Sequence, residues 1–151
     1  MPEIKRLVPA DLKILDHVAA QVFDDPIVIA SAQEFLNDTR HHLVVALEDQ
    51  LVIGFVSAVI YLHPDKPAPE LWINEIGVAP THQRRGIGKM LIQFLLEDAR
   101  QSGCVEAWVL TDRDNIAAMA MYRSAGGIEE RPDPTMFTFP LRTHKAGIKD
   151  E

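Results

Sequence analysis

Between an apolar, strand-like run that ends at Val78 and a helix-patterned run that begins at Ile87 stands the segment Gln83-Arg84-Arg85-Gly86-Ile87-Gly88. Ile87, Met90, Leu91, Phe94 and Leu95 recur at helical spacing, with Lys89, Gln93 and Glu97 on the opposite side and Gly103 placed to stop the helix. Any fold of this chain must therefore hold a strand, a glycine turn and an amphipathic helix in immediate succession. Glycines let the backbone turn sharply and approach a ligand closely. The unpaired N–H groups of the first helical turn can then point at phosphate oxygens, where the helix dipole favours negative charge. Arg84 and Arg85 add cationic donors. The segment reads as a cradle for the pyrophosphate of a nucleotide-type cofactor, with an ordinary strand-to-helix turn as the plainer alternative. A Walker loop is excluded, because Lys89 is followed by Met90 rather than Ser or Thr and the glycines are too close together. A dinucleotide fingerprint is excluded too, because it needs three spaced glycines near the first strand.

The rest of the chain supplies strands and helices around this passage. Glu3 to Val8 reads as a short strand, and Asp11 as the cap of a helix that carries Leu12, Leu15, Val18 and Ala19 on one face. Asp24-Asp25-Pro26 interrupts that pattern, because proline disfavours helical geometry in the residue before it. Ser31 with Glu34 has the form of a capping box for a second helix ending near Asn37. Leu43 to Glu48 and Leu51 to Tyr61 are β-rich runs joined by Asp49-Gln50, which suits a hairpin. Three prolines make 63–69 a loop, and Leu71 to Val78 is the next strand. Cys104 to Thr111 reads as a buried strand and Asn115 to Ala125 as a helix closed by Gly126-Gly127. Thr135 to Leu141 reads as a last strand with Phe137, Phe139 and Leu141 on one face. The expectation is one domain over 1–141 and a disordered tail over 142–151, with no internal repeat.

Composition narrows the partners. The chain has 151 residues, 47% of them apolar, enough for one sizeable core. Its formal net charge of −7 argues against a sequence-independent nucleic-acid binder and favours a cationic small-molecule partner. Cys104 is the only cysteine, so no intramolecular disulfide can form. There it reads as a small core residue rather than a nucleophile. No apolar run of about 18 residues is present to span a bilayer. The start Met1-Pro2-Glu3-Ile4-Lys5 lacks the apolar stretch of a signal peptide, so a cytoplasmic protein without membrane attachment is expected. His41 and His42 would point to opposite faces of a strand, and His17, His63, His82 and His144 are scattered, so no metal site is expected.

Gln83-Arg84-Arg85-Gly86-Ile87-Gly88 matches the Gln/Arg-x-x-Gly-x-Gly/Ala signature of the GNAT superfamily of N-acetyltransferases, in the same strand-loop-helix context. Glu75-Ile76-Gly77-Val78-Ala79-Pro80 and the spacing from Asn115 to Tyr122 to Gly126 also resemble that family, so the likeness spans Leu43 to Leu141. Within it, Leu71-Trp72-Ile73-Asn74-Glu75-Ile76-Gly77-Val78, the proline-rich loop and Asp112 look most similar to aminoglycoside 3-N-acetyltransferases. The resemblance implies a mixed α/β (α+β) fold. Its central sheet would be twisted and mostly antiparallel, with a parallel splayed pair at the cofactor site and helices on both faces. It implies acetyl-CoA as donor, with pyrophosphate on the main-chain N–H groups of Arg85, Gly86, Ile87, Gly88 and Lys89, near Gln83 and Arg84. The pantetheine arm would lie along Ile76, Gly77 and Val78, with Asn115 helping to hold it. Gln83 stands where many relatives carry arginine, which removes one possible phosphate contact. A homodimer is common among such relatives.

The chemistry implied is acetyl transfer to a primary amine of an aminoglycoside antibiotic, at the 3-amino group, by direct attack in a ternary complex. Such transfer would make the chain an antibiotic-resistance enzyme. The alternatives are another amine, such as a polyamine, an amino acid or a protein N-terminus, and a non-catalytic acetyl-CoA sensor. A base must take a proton from the amine, and an acid can protonate the departing thiolate. Glu75 is the candidate base, because alternation places it on the face of Leu71 and Ile73, where partial desolvation would suit a proton acceptor. A structural carboxylate satisfied by backbone donors is the other reading. Tyr122, seven residues after Asn115, matches the tyrosine that the family often keeps near the sulfur and is the candidate acid. Ala118, Met119 and Ala125 share its side, so helical spacing alone also allows a core role. Asp112 is expected across the cleft from Glu75 at a strand end, in a catalytic and substrate-binding position. Of the five loop carboxylates Asp24, Asp25, Asp112, Asp114 and Glu129, Asp25 and Asp112 are expected to touch substrate together with Glu75.

Overall fold

Strand β3, Leu51–Tyr61, is the spine of the sheet, and a computed structural model describes residues 1–130 and 135–142 around it. β2, His41–Glu48, runs antiparallel to β3 through a two-residue turn. Asp49 and Gln50 both have positive φ, 50° and 65°, the geometry whose twist matches a hairpin. β1, Glu3–Arg6, lies antiparallel on the outer edge of β2, and β4, Glu70–Val78, antiparallel on the other side of β3. β5, Glu106–Val109, joins β4 in parallel, so the order is β1-β2-β3-β4-β5.

Alternation along the central strands fills both faces. On one face Val44, Ala46, Val56 and Leu71 pack against Ile87, Leu91 and Leu95 of α2, Ile87–Gln101. On the other, Leu43, Val45, Val52 and Phe55 meet Leu15 and Leu36 from the 3-10 segment Pro9–Asp16 and from α1, Ile29–Asn37. Leu91 and Leu95 are fully buried, each worth about 1.5–3 kcal/mol. The expected mixed α/β sheet with a parallel pair and helices on both faces is present. No helix among the described residues is long and apolar enough to cross a membrane.

Local details differ from the sequence reading. Val8, not Asp11, is the N-cap of Pro9–Asp16; Asp11 sits a turn inside and its carboxylate accepts the Val8 N–H at 2.9 Å. The tight segment stops at Asp16, and Val18 instead bridges to Val52. Ser31 is likewise inside α1, which starts at Ile29 after an uncapped Val28. Cys104 does not open a strand. Its N–H bonds to the Ala99 carbonyl at 3.0 Å and that of Gly103 to Arg100, the paired bonds of a Schellman stop with Gly103 at φ +87°. The strand itself spans only Glu106–Val109. Thr135 to Leu141 forms no strand: a strand needs a partner, and among the described residues none pairs with it. The tail expected over 142–151 lies, apart from Arg142, outside the described residues.

A buried polar link ties β1, β2 and α2 together. His42 is 1% exposed, its Nδ1 is 2.7 Å from Asp98 Oδ2, and Arg6 reaches both His42 Nε2 and Asp98 Oδ1 at 3.3 Å. Burial first, and the Arg6 charge second, push the His42 imidazole below its usual pKa. His42 is therefore neutral in the fold, with Nδ1–H donating to Asp98 and Nε2 accepting from Arg6. The unfolded chain binds this proton more readily. Its contribution to stability is thus full above about pH 6.5 and is lost as pH falls from there through the lowered folded value. We expect the melting temperature to drop between pH 7 and pH 5, and His42→Gln to flatten that slope. Equal slopes in thermal melts of the two proteins would remove His42 from this role.

Candidate functional site

The glycine turn is held open by its neighbours. After β4 the chain makes a short 3-10 turn, Pro80–His82, and then places Arg84 at φ +64° and Gly86 at φ +75°. A positive φ is costly for arginine and free for glycine, so two reversals in three residues make an unusual concave backbone. Gly86 is the N-cap of α2 and has no side chain to cap with; the first helical bond is Met90 N–H to Gly86 O at 3.0 Å. The amides of Ile87, Gly88 and Lys89 therefore have no carbonyl to bond within the helix and sit at its positive end. Arg84 and Arg85 are exposed beside them, and Lys89 is half-buried.

Three contacts brace this turn. The Gln83 side-chain N–H₂ donates to the Val78 carbonyl at 3.2 Å, so Gln83 builds the loop by bonding its own strand. His82 Nε2 lies 3.0 Å from Glu48 Oε1, and Arg85 reaches the other oxygen at 3.8 Å. The His82 hydrogen bond and, after it, the His82 and Arg85 charges hold the Glu48 carboxyl below its ordinary range. On the inner side Gly88 is buried, and a Cβ there would fall 2.3 Å from Met121 Sδ of α3, Ile116–Ser124. Gly86 thus serves the turn and Gly88 the approach of the two helices.

β4 parts from β5 beside this turn. Their pairing ends at Ile73 with Val109, and from Asn74 to Val78 the outer edge of β4 has no strand partner among the described residues. At the same place Ser57 faces Glu75 while Ala58 faces Ile73, so Asn74 is an extra residue, a β-bulge. The bulge shifts the alternation by one. Leu71 and Ile73 face α2 and so do Ile76 and Val78, while Glu75 turns to the opposite face. The sequence reading, which put Glu75 on the face of Leu71 and Ile73 and partly desolvated it, is corrected on both counts, since Glu75 is exposed.

On that opposite face Glu75, Asn74 and Ser57 form one end of a cleft of about 460 Å³. Its walls include Phe55, Leu15 and Phe35, together with Phe23, whose ring stacks on Phe55 at 3.9 Å between centroids. Asp24 and Asp25 lie on its rim, brought there by the break at Pro26. Asp112 does not join them. β5 ends at Val109, and Asp112 lies beyond it in the turn into α3, its carbonyl accepting the Asn115 N–H at 3.0 Å. Asp114 is exposed in the same turn, and Glu129 is engaged by Arg113 and Arg123, which hold its carboxyl below the usual range. Asp24, one of the five loop carboxylates, lines the cleft beside Asp25 although only Asp25 and Asp112 are expected there from sequence, and the aromatic wall of Phe23, Phe35 and Phe55 carries no sequence signal because its residues meet across separate elements.

On the α2 side Asn115 caps α3, its Oδ1 accepting the Ala118 N–H at 3.1 Å. Tyr122 packs half-buried against the α2-side core, and burial pushes its phenol above the ordinary tyrosine value. The helix stops in a second Schellman pair, Gly127 N–H to Tyr122 O at 2.8 Å and Gly126 to Arg123 at 3.0 Å.

Known proteins resemble this chain in both sequence and shape. Residues 12–126 match the model of the Acetyltransferase (GNAT) family. The chain is 38% identical over 125 residues to the N-alpha-acetyltransferase RimI of Mycobacterium tuberculosis, a match covering 82% of this chain and 76% of that protein. Its fold superposes on an aminoglycoside acetyltransferase, meta-AAC0020, from an uncultured soil metagenomic sample in complex with trehalose. The TM-score is 0.81 at 24% identity, covering 93% and 97% of the two chains. It also superposes on the aminoglycoside N-acetyltransferase AAC(6')-Iy in complex with CoA, with a TM-score of 0.72 at 22% identity and coverage of 93% and 95%.

Gly77 shows how tightly β4 is held here. A Cβ at this position would lie 2.2 Å from the Val22 carbonyl oxygen and 2.9 Å from the Phe55 ring. Gly77→Ala is expected to destabilise the protein by about 1–3 kcal/mol in denaturant titrations. An unchanged midpoint would show that β4 and the segment around Val22 are not packed as described.

Proposed function

We propose that this chain, which belongs to the acetyltransferase (GNAT) family, acetylates the 3-amino group of an aminoglycoside. It is an N-acetyltransferase, and acetyl-CoA is its donor. The observation that carries the acceptor reading is the convergence of Asp24, Asp25 and Glu75 on a cleft lined, among the described residues, by no lysine, arginine or histidine. Fixed carboxylates in a concave site concentrate and orient a polycation.

The residues present fit the donor. The outward amides from Arg85 to Lys89, with Arg84 and Arg85 beside them, suit pyrophosphate oxygens, and the open edge of β4 at Ile76, Gly77 and Val78 suits the amides of the pantetheine arm. Asn115, its oxygen engaged with the helix, keeps its N–H₂ group for the same arm. The donor supplies an acetyl group activated as a thioester. An amine arrives as ammonium, and Glu75 takes the proton, directly or through a water, so that the nitrogen lone pair is free. As the C–N bond forms the C–S bond breaks; Tyr122, kept protonated by its burial, gives its proton to the departing sulfur, and the second proton that the nitrogen loses passes through solvent to restore the phenol. Asp112 is given no step, because it lies outside the cleft lining. A cytoplasmic setting accompanies this reading.

A protein N-terminus is the second reading. It is favoured by the likeness to the mycobacterial N-alpha-acetyltransferase and by the apolar walls at Phe23, Phe35 and Phe55, which suit a nonpolar side chain beside the reacting amine.

Thiol release from acetyl-CoA, measured across aminoglycosides, spermidine and short peptides, separates these acceptors. Release with aminoglycosides and regiochemistry at the 3-amino group are expected. Release with peptides alone would transfer the acceptor assignment to the second reading and leave the donor site intact. Tyr122→Phe should lower kcat by about 100-fold while leaving acetyl-CoA affinity nearly unchanged; an unaltered kcat would remove Tyr122 from the acid role.

A further inference from the structure

The sheet face that closes one end of the cleft continues past it. Ser57 and Glu75, both in the cleft lining, are partners across β3 and β4. The next row on that face is Val59 with Trp72, and the one after it Tyr61 with Glu70. Successive rows stand two residues apart, about 7 Å. Parallel pairing carries both rows on to β5, where Trp108 lies beside Trp72 and Glu106 beside Glu70. Ala107 and Val109 pack on the α2-side core, so alternation turns Trp108 and Glu106 to the cleft side. The two indoles are stacked, 5.2 Å between centroids and 11° from parallel, and Trp72 is 39% exposed. They form a flat aromatic platform between carboxylates, with Glu75 one row away on one side and Glu70 and Glu106 one row away on the other. Glu106 is exposed, and Glu70 Oε2 lies 2.8 Å from His63 Nε2.

We propose that this platform is a second acceptor subsite. When one ring of a multi-ring aminoglycoside presents its amine to Glu75, a neighbouring ring lies flat on Trp72 and Trp108 and directs its ammonium groups at Glu106 and Glu70. This placement rests on the aminoglycoside reading above and names the residues that would hold the part of the acceptor that does not react. An amino-sugar ring has an apolar C–H face that suits indole and a cationic edge that suits carboxylates, and an ammonium over the indole face gains cation–π attraction. Two rows separate Glu75 from Glu70, about 14 Å, a span that linked rings cover and a single ring does not. The α-amine of a peptide brings one cation and leaves the distal carboxylates unmatched. Because the indoles already hold each other, little side-chain freedom is lost when a ring settles on them.

Trp72 and Trp108 are the two tryptophans of the chain, so intrinsic fluorescence reports on the platform alone. With CoA present, three-ring kanamycin is expected to shift the emission saturably and single-ring 2-deoxystreptamine to leave it unchanged. In thiol-release assays, Trp108→Ala should raise the KM for kanamycin about 10-fold at unchanged kcat, with Trp108→Phe restoring most of the loss. The kcat/KM for 2-deoxystreptamine and the KM for acetyl-CoA should stay as they are. Glu106→Gln should raise the KM for kanamycin about 3-fold. Equal changes for both acceptors, or none, would overturn the subsite and leave the aminoglycoside reading standing. No release from any aminoglycoside would overturn both. An emission shift that followed protein concentration and ignored kanamycin would give this face to a second copy of the chain and also overturn the subsite.

Discussion

β4 must serve two neighbours that diverge. Antiparallel pairing holds it to β3 through Val78, but its parallel pairing with β5 lasts only from Glu70 to Ile73. Beyond that point the outer backbone of β4 has no strand among the described residues to satisfy it, which a sheet tolerates only at an edge or where something else binds. The Asn74 bulge sits at the point of divergence. It turns Glu75 into the cleft and returns Ile76 and Val78 to the α2-side core. One inserted residue thus fixes the open edge, the orientation of the candidate base and the anchoring of the strand that leads to the glycine turn.

The glycine turn depends on that strand. Gln83 reaches back to the Val78 carbonyl, while Glu48 at the end of β2 holds His82 and Arg85 from the other side. Ile87 is buried in the core, so the first turn of α2 cannot swing away. This packing preorganises the amides at the start of α2, which lowers the cost of ordering the loop when the donor arrives. The open edge of β4 and the cleft adjoin at Asn74 and Glu75, which line the cleft just past the point where β4 loses its pairing with β5.

Features set by neighbouring residues were readable before the structure. The hairpin at Asp49-Gln50, the amphipathic stripe of α2 and both glycine stops depend on local geometry, and each lies where spacing placed it. Features set by distant partners were not. Nothing in Ile73-Asn74-Glu75 announces a bulge, since its register is decided across the sheet by Ser57 and Ala58. Asp112 is not at a strand end, because β5 is shorter than the apolar run that contains it. Its pairing with β4 stops at Val109, and the following turn points its residues elsewhere. Thr135 to Leu141 has the alternation of a strand but no partner within the described chain, and alternation alone cannot supply one.

The central claim is that the donor lies across the start of α2 and along the open edge of β4. It is tested most directly by titrating unlabelled acetyl-CoA into isotope-labelled protein and following the backbone amide resonances. The account predicts saturable shifts largest at Arg85 to Lys89 and at Ile76 to Val78, with smaller changes across the Phe23 to Val28 wall. Saturable binding that left the amides of Ile87, Gly88 and Lys89 unmoved would contradict it.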